Sequence, residues 1–178
     1  DMIVVLKTTL ERFSDRVIRR RIEADIKGFQ KRRRTRLAVL EAKLRESPEM
    51  AAKIDLLLSI PGVAERTALG FLVRMPELGT LTREEAASLA GLAPLNDDTG
   101  QHKGERHIHG GRTRLRGTAY MAAFACATWN GDLKTFYARL RRKGHEHKQA
   151  VVACARKLVI MANAIIARGA PWLDRRAT

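Results

Sequence analysis

Apolar positions recur along this chain at helical spacing almost from end to end. Leu6, Leu10, Phe13 and Val17 follow a 4-3-4 pattern. Ile18, Ile22, Ile26 and Phe29 continue a seam, and Leu37, Leu40 and Leu44 carry it to about Arg45. Spacing sustained over this length predicts one long helix or two in series, arranged as a coiled coil or a helical hairpin. Ser47-Pro48-Glu49 stops it and starts the next, with proline in the first turn. A helix from Pro48 to about Leu58, the turn Ser59-Ile60-Pro61-Gly62-Val63 and a helix from Ala64 to Arg74 make a helix-hairpin-helix pattern. In such a pattern the glycine permits close backbone approach, and the second helix's first amides can bind a phosphate. That makes Gly62 a candidate nucleic-acid contact, against the plainer reading of an ordinary packing corner.

Thr82 opens a helix with Glu85 three residues on, a capping-box pattern, and the helix ends near Ala90-Gly91. Residues from Arg112 to Asn130 form a helix rich in alanine, which predicts a central, buried element. Leu133–Arg142 is a short helix stopped by Gly144. His147–Arg168 is the last helix, with Gly169 and Pro171 beyond it. No run alternates as a strand would; Ile108, between His107 and His109, could form a small hairpin. The expected fold class is all-α. A coiled-coil-like connector (1–47) precedes a compact helical domain (48–178) interrupted by a long, Gly-rich, basic loop.

Charge narrows the function classes. The 178 residues carry a net charge of +15, with 45% apolar content. The apolar share supports a real core, and a chain this basic most often meets nucleic acid. Lys31–Arg34 is either a solvated helix face or a phosphate-contacting one. Cys126 and Cys154 lie in alanine-rich contexts and read as small core residues in a reducing, cytoplasmic setting. No apolar run is expected to reach membrane-spanning length, so no membrane partner is expected. The chain starts at Asp1, directly in a helical pattern, as a piece of something longer would.

The candidate chemistry lies in Gly91–Gly117, GLAPLNDDTGQHKGERHIHGGRTRLRG. A polar loop this long is uncommon unless functional or disordered. Asp97, Asp98 and Thr99 stand near one end, with Lys103, Arg106, Arg112, Arg114 and Arg116 toward the other. The acids also fit as turn residues before Gly100, and Thr99 as an ordinary residue before glycine. Cations in the first turn of a helix oppose its dipole, which an anionic partner would explain. His102, His107, His109, His145 and His147 lack the companions of a zinc site, so no metal is expected; one of them could shuttle a proton. No phosphate-binding Walker motif or nucleophile elbow occurs.

Three stretches carry a resemblance: SIPGVAERTALGFLVRMPELGTL, LAGLAPLNDDTGQHKGERHIHGGRTRLRGTAYMAA and FYARLRRKGHEHKQAVVACARKLVIMANAIIARGAPW. Together they resemble the C-terminal transposase domain of the IS110 (IS-one-ten) insertion-sequence family, the bridge-RNA-guided DNA recombinases, over about Leu56 to Trp172. The segment before it looks like the family's helical connector. The resemblance implies a full-length protein joining a RuvC-like half, with four acidic residues and Mg²⁺, to a helical half whose serine links covalently to DNA. DNA and a noncoding guide RNA would be the partners. The family's Asp-Ser-Gly reads Asp98-Thr99-Gly100 here, and its Gly-Gly-Arg reads Gly110-Gly111-Arg112. Nothing here resembles the acidic half, so Mg²⁺ is expected only with that half and no cofactor in this chain.

Threonine keeps the hydroxyl, but its β-methyl restricts χ1 and crowds an in-line approach. The whole therefore reads as a transposase domain that binds DNA and acts on phosphodiesters through Thr99 with Asp98. A non-catalytic DNA- or RNA-binding module, or a remnant, is the alternative. A helical scaffold associating through Met2–Arg45 is a third reading.

Overall fold

Asp15 decides how the N-terminal seam is cut. Its carboxylate accepts hydrogen bonds from the amides of Val17 (2.8 Å) and Ile18 (2.9 Å), capping a helix that starts at Arg16. The computed structural model describes residues 2–95, 98–99, 102–103, 107–108 and 110–173. In it the N-terminal seam is two helices, α1 (Met2–Arg12) and α2 (Arg16–Arg45). α1 folds back on α2, so that Ile3 packs with Ile22 and Ile26, flanked by Leu6, Leu10 and Phe29. Arg19 Nη1 donates to the carbonyls of Leu10 (2.9 Å) and Phe13 (3.1 Å), closing the end of α1. Phe13, Val17 and Ile18, read as seam residues, are exposed at the break.

Contacts divide the chain into two units, Asp1–Ser47 and Pro48–Thr178. The second contains α3 (Pro48–Leu58), α4 (Glu65–Arg74), α5 (Arg83–Leu89), α6 (Thr113–Trp129), α7 (Gly131–Arg142) and α8 (His147–Arg168). The fold is all-α: four strands of two residues each are confined to the loop between α5 and α6.

The centre of the second unit is the pairing of α6 with α8. Ala119, Ala122, Ala123 and Cys126 of α6, and Ala150, Cys154, Ala155 and Ala162 of α8, are buried. Small side chains let two backbones approach closely, and Leu115, Val151, Leu158 and Ile165 fill the space beside them. α4 and α7 pack on α6; α3, α5 and α7 pack on α8. The helix expected to be wholly buried is buried on one side only, since Met121 and Phe124 of α6 are 67% and 54% exposed.

The caps follow the sequence signals in most places. Thr82 and Glu85 form the capping box of α5, and Gly169 ends α8 in the left-handed conformation. Asn130 is buried and caps α7, its Oδ1 accepting from the Leu133 amide at 3.1 Å. Asn163 of α8 ties down the turn after α4: its Oδ1 accepts from the Gly79 amide and its Nδ2 donates to the Leu81 carbonyl, both at 2.7 Å.

One expectation is corrected. α8, at 22 residues, is long and apolar enough to cross a membrane by length and composition. Half of its apolar stretch is buried inside this unit, where it serves as the core helix.

Candidate functional site

The loop between α5 and α6 leaves the fold through a closed neck. α5 ends with the Gly91 amide donating to Ser88 O (2.8 Å) and the Leu92 amide to Ala87 O (2.9 Å), and Leu92 is buried. Gly91 and Gly111 both hold positive φ, +63° and +64°. They also touch. A Cβ on Gly111 would collide with the Gly91 amide nitrogen and sit 2.8 Å from Ser88 O. A Cβ on Gly91 would collide with Gly110 O. Glycine is required at both positions by conformation and by space. The Arg112 amide donates to Leu89 O (2.8 Å), and Arg116 Nη1 donates to Gly110 O (2.7 Å) and Gly91 O (3.4 Å). The two ends of the loop are thereby fastened to each other.

Beyond the neck the described residues form two separate antiparallel pairings. β1 (Pro94–Leu95) pairs with β4 (His107–Ile108), with Pro94 opposite Ile108 and Leu95 opposite His107. β2 (Asp98–Thr99) pairs with β3 (His102–Lys103), with Asp98 opposite Lys103 and Thr99 opposite His102. The pairing of Thr99 with His102 leaves a two-residue connection that begins with glycine, a sequence suited to a tight hairpin. Ile108, read as part of a small hairpin, pairs with Pro94, and Thr99 belongs to the other pairing. Asp97, Arg106 and His109 lie outside the described residues.

The arginines grouped by sequence have different environments. Arg112 makes a bidentate pair with Glu77 (Nη1–Oε2 2.8 Å, Nη2–Oε1 2.7 Å) and also donates to Arg74 O at 2.8 Å. These bonds hold the Glu77 carboxyl down from 4.5 to about 2. The unfavourable cation at the start of α6 is answered inside the chain, at the C-terminal end of α4. Arg116 is half-buried in the neck. Arg114 is exposed on the first turn of α6.

Gly62 belongs to a different place. At φ +91°, a Cβ on it would lie 2.8 Å from Cys126 Cα and 3.0 Å from Cys126 N and Sγ. The close approach its lack of a side chain permits is to α6. Cys126 lies 13 residues along α6 from Thr113, or roughly 20 Å, so the Gly62 turn and the loop neck are not brought together. The N-cap of α4, Ala64, offers no side-chain cap, and Glu65 occupies the first turn. That carboxylate opposes a phosphate at the same amides.

Sequence reasoning missed an aromatic cluster on the outside of α6. The His147 ring stands edge-on to Phe124 and to Tyr137, with ring centroids 5.9 Å apart in both cases, and Tyr137 Oη hydrogen-bonds His147 Nδ1 at 2.7 Å. The His-Glu-His stretch was visible; its partners on α6 and α7 were not. Cys126 and Cys154 are buried free thiols, pushed up to about 12 and about 11 by burial, and so are poor nucleophiles. Among the described residues no group of three or more His, Cys, Asp or Glu is placed to hold a metal ion.

Residues 54–138 match the family described as Transposase IS116/IS110/IS902. The 43.6 kDa protein of insertion element IS110 from Streptomyces coelicolor is 35% identical over 139 residues, covering 76% of this chain and 34% of that protein. The pilin gene-inverting protein of Moraxella bovis is 30% identical over 134 residues, 73% of this chain and 41% of that protein. The 42 kDa protein of insertion element IS900 from Mycobacterium paratuberculosis is 28% identical over 127 residues, 69% of this chain and 32% of that protein. The chain thus spans about a third to two fifths of the length of these relatives.

Proposed function

The chain carries a transposase domain of the IS116/IS110/IS902 family, and from that premise we propose that it binds DNA and acts on its phosphodiesters through the loop between α5 and α6. The observation that supports this best is the register of β2 with β3. Thr99, the only hydroxyl of the loop between Gly91 and Gly111, stands opposite His102 in the two-stranded pairing of β2 with β3. A nucleophilic hydroxyl needs a neighbouring base and a rigid support. In this reading Thr99 Oγ1 attacks phosphorus and gives up its proton to His102. The new bond joins phosphorus to the threonine oxygen, and the bond to the departing sugar oxygen breaks as that oxygen takes up a proton. Asp98, next in the chain and opposite Lys103, sets the local charge.

Lys103, Arg106 and Arg114 are the proposed phosphate contacts. Arg112 and Arg116, grouped with them by sequence, are assigned to building the neck, and Gly62 to packing on α6. Mg²⁺ is assigned to the acidic half of a full-length relative, as the resemblance implies. A guide RNA and self-association through α1 and α2 extend the reading to partners; nucleic acid co-purifying with the protein and sedimentation test them.

The chemical test is covalent trapping on nicked DNA, in a protein of the relatives' full length. An adduct surviving denaturation is expected with wild type and with Thr99→Ser, and none with Thr99→Ala. If wild type matches Thr99→Ala and only Thr99→Ser reacts, threonine is not a nucleophile here. That outcome favours the second reading, a binding module without chemistry, which the restricted χ1 of threonine supports.

A further inference from the structure

α6 presents an uncovered face. Arg114, Gly117, Met121 and Phe124 follow one another at 3-4-3 spacing and are all exposed. This stripe starts one residue into the helix, beside the loop neck, and runs about 15 Å to the Phe124–His147–Tyr137 cluster. There it reaches α7 at Tyr137, and α7 ends in the exposed Arg139, Arg141, Arg142 and Lys143, with Lys148 just beyond. Residues 133–173 contain nine lysines and arginines and a single acid, Glu146. Glu146 is committed to the capping box of α8. No carboxylate among the described residues pairs with Arg139, Arg142, Lys143 or Lys148.

Gly117 is the second observation. A glycine inside a helix is less favourable than an alanine, and such a cost usually has a packing reason. Here there is none among the described residues: a Cβ on Gly117 would meet nothing of theirs within 4 Å. A smooth helix surface between an arginine and two exposed apolar side chains suits something that lies against the backbone from outside.

We propose that the stripe Arg114–Gly117–Met121–Phe124, with the basic end of α7, docks an unpaired DNA strand leading away from the loop. Bases stack at Phe124 and lie over Met121, and the arginines and Lys143 take the phosphates. An unpaired strand offers π-faces to an exposed aromatic ring, whereas a duplex hides them. A second copy of the chain is the poorer occupant, because it would press two basic faces together. DNA is chosen over RNA on the strength of the family assignment alone. The docking itself does not require chemistry at Thr99.

The test uses fluorescence anisotropy on the 178-residue chain with a labelled single strand of about 12 nucleotides, its duplex and its RNA equivalent. The single DNA strand should bind most tightly. Phe124→Ala should weaken it about 5- to 100-fold with an unchanged salt slope, and Phe124→Trp should restore it. Arg142→Gln should lower the slope by about 0.7. Gly117→Leu should weaken binding while its melting midpoint stays at or above that of wild type, so that a folding defect cannot stand in for lost contact. Wild-type affinity in both Phe124→Ala and Gly117→Leu, tighter binding of duplex or RNA, or a dimer that Met121→Glu dissolves would each overturn it.

Discussion

The first turn of α6 and the last turn of α7 carry similar numbers of arginines and use them in opposite ways. At α6 the cations sit where the helix dipole disfavours them, and the fold answers within itself. Arg112 is held by Glu77 and a helix-end carbonyl, and Arg116 by two carbonyls of the neck. At α7 the cations sit where the dipole favours them, so no carboxylate is needed to keep them there. A basic patch in sequence therefore counts charges but not their availability. Arginines at a helix start can be fastenings of the scaffold, and those at a helix end can remain open to a polyanion.

Several substitutions would break that contrast or sharpen it. Gly111→Ala should have the largest effect, about 2–5 kcal/mol in urea unfolding, because a Cβ there meets both a disfavoured φ and the Gly91 backbone. Arg116→Ala should cost about 1.5–3 kcal/mol, the range for hydrogen bonds to charged donors. Arg112→Gln should lower the urea midpoint and leave DNA affinity nearly unchanged, while Arg142→Gln should do the reverse. If Arg112→Gln instead abolishes binding in a folded protein, the division between fastenings and contacts fails.

Acid adds a finer cut. Glu77 has its pKa depressed in the folded chain, so the stability it contributes is complete above about pH 4.5 and is lost as the pH falls toward about 2. Stability of Arg112→Gln should fall less steeply over that window. Arg114→Ala, exposed and without a clamp, should change stability by no more than about 0.5 kcal/mol.

Much of the helical scaffold could be read from local signals, because those signals are local physics. Proline at the start of α3, the Thr82–Glu85 box and Gly169 each act within one turn of their own position. Asp15 is equally local and was overlooked because the apolar seam continues through it. The site was less legible. Gly91 and Gly111 are 20 residues apart, and Arg112 and Glu77 are 35 apart. Nothing in either neighbourhood announces a partner that far away. The exposed stripe of α6 was hidden by composition: alanine richness pointed to burial, and the helix is buried only where it meets α8, α7 and α4. The loop's pairing follows from glycine placement, but which residue stands opposite Thr99 depends on register, which the turn decides.

The glycine contact at the neck has an evolutionary consequence. Since the residues on either side of the loop meet and are bonded to one another, the ends of α5 and α6 are fastened at the neck itself. The intervening segment is a cassette with fixed endpoints. Its length, its hydroxyl and its charges can drift, or be exchanged by grafting, while the frame that receives them stays the same.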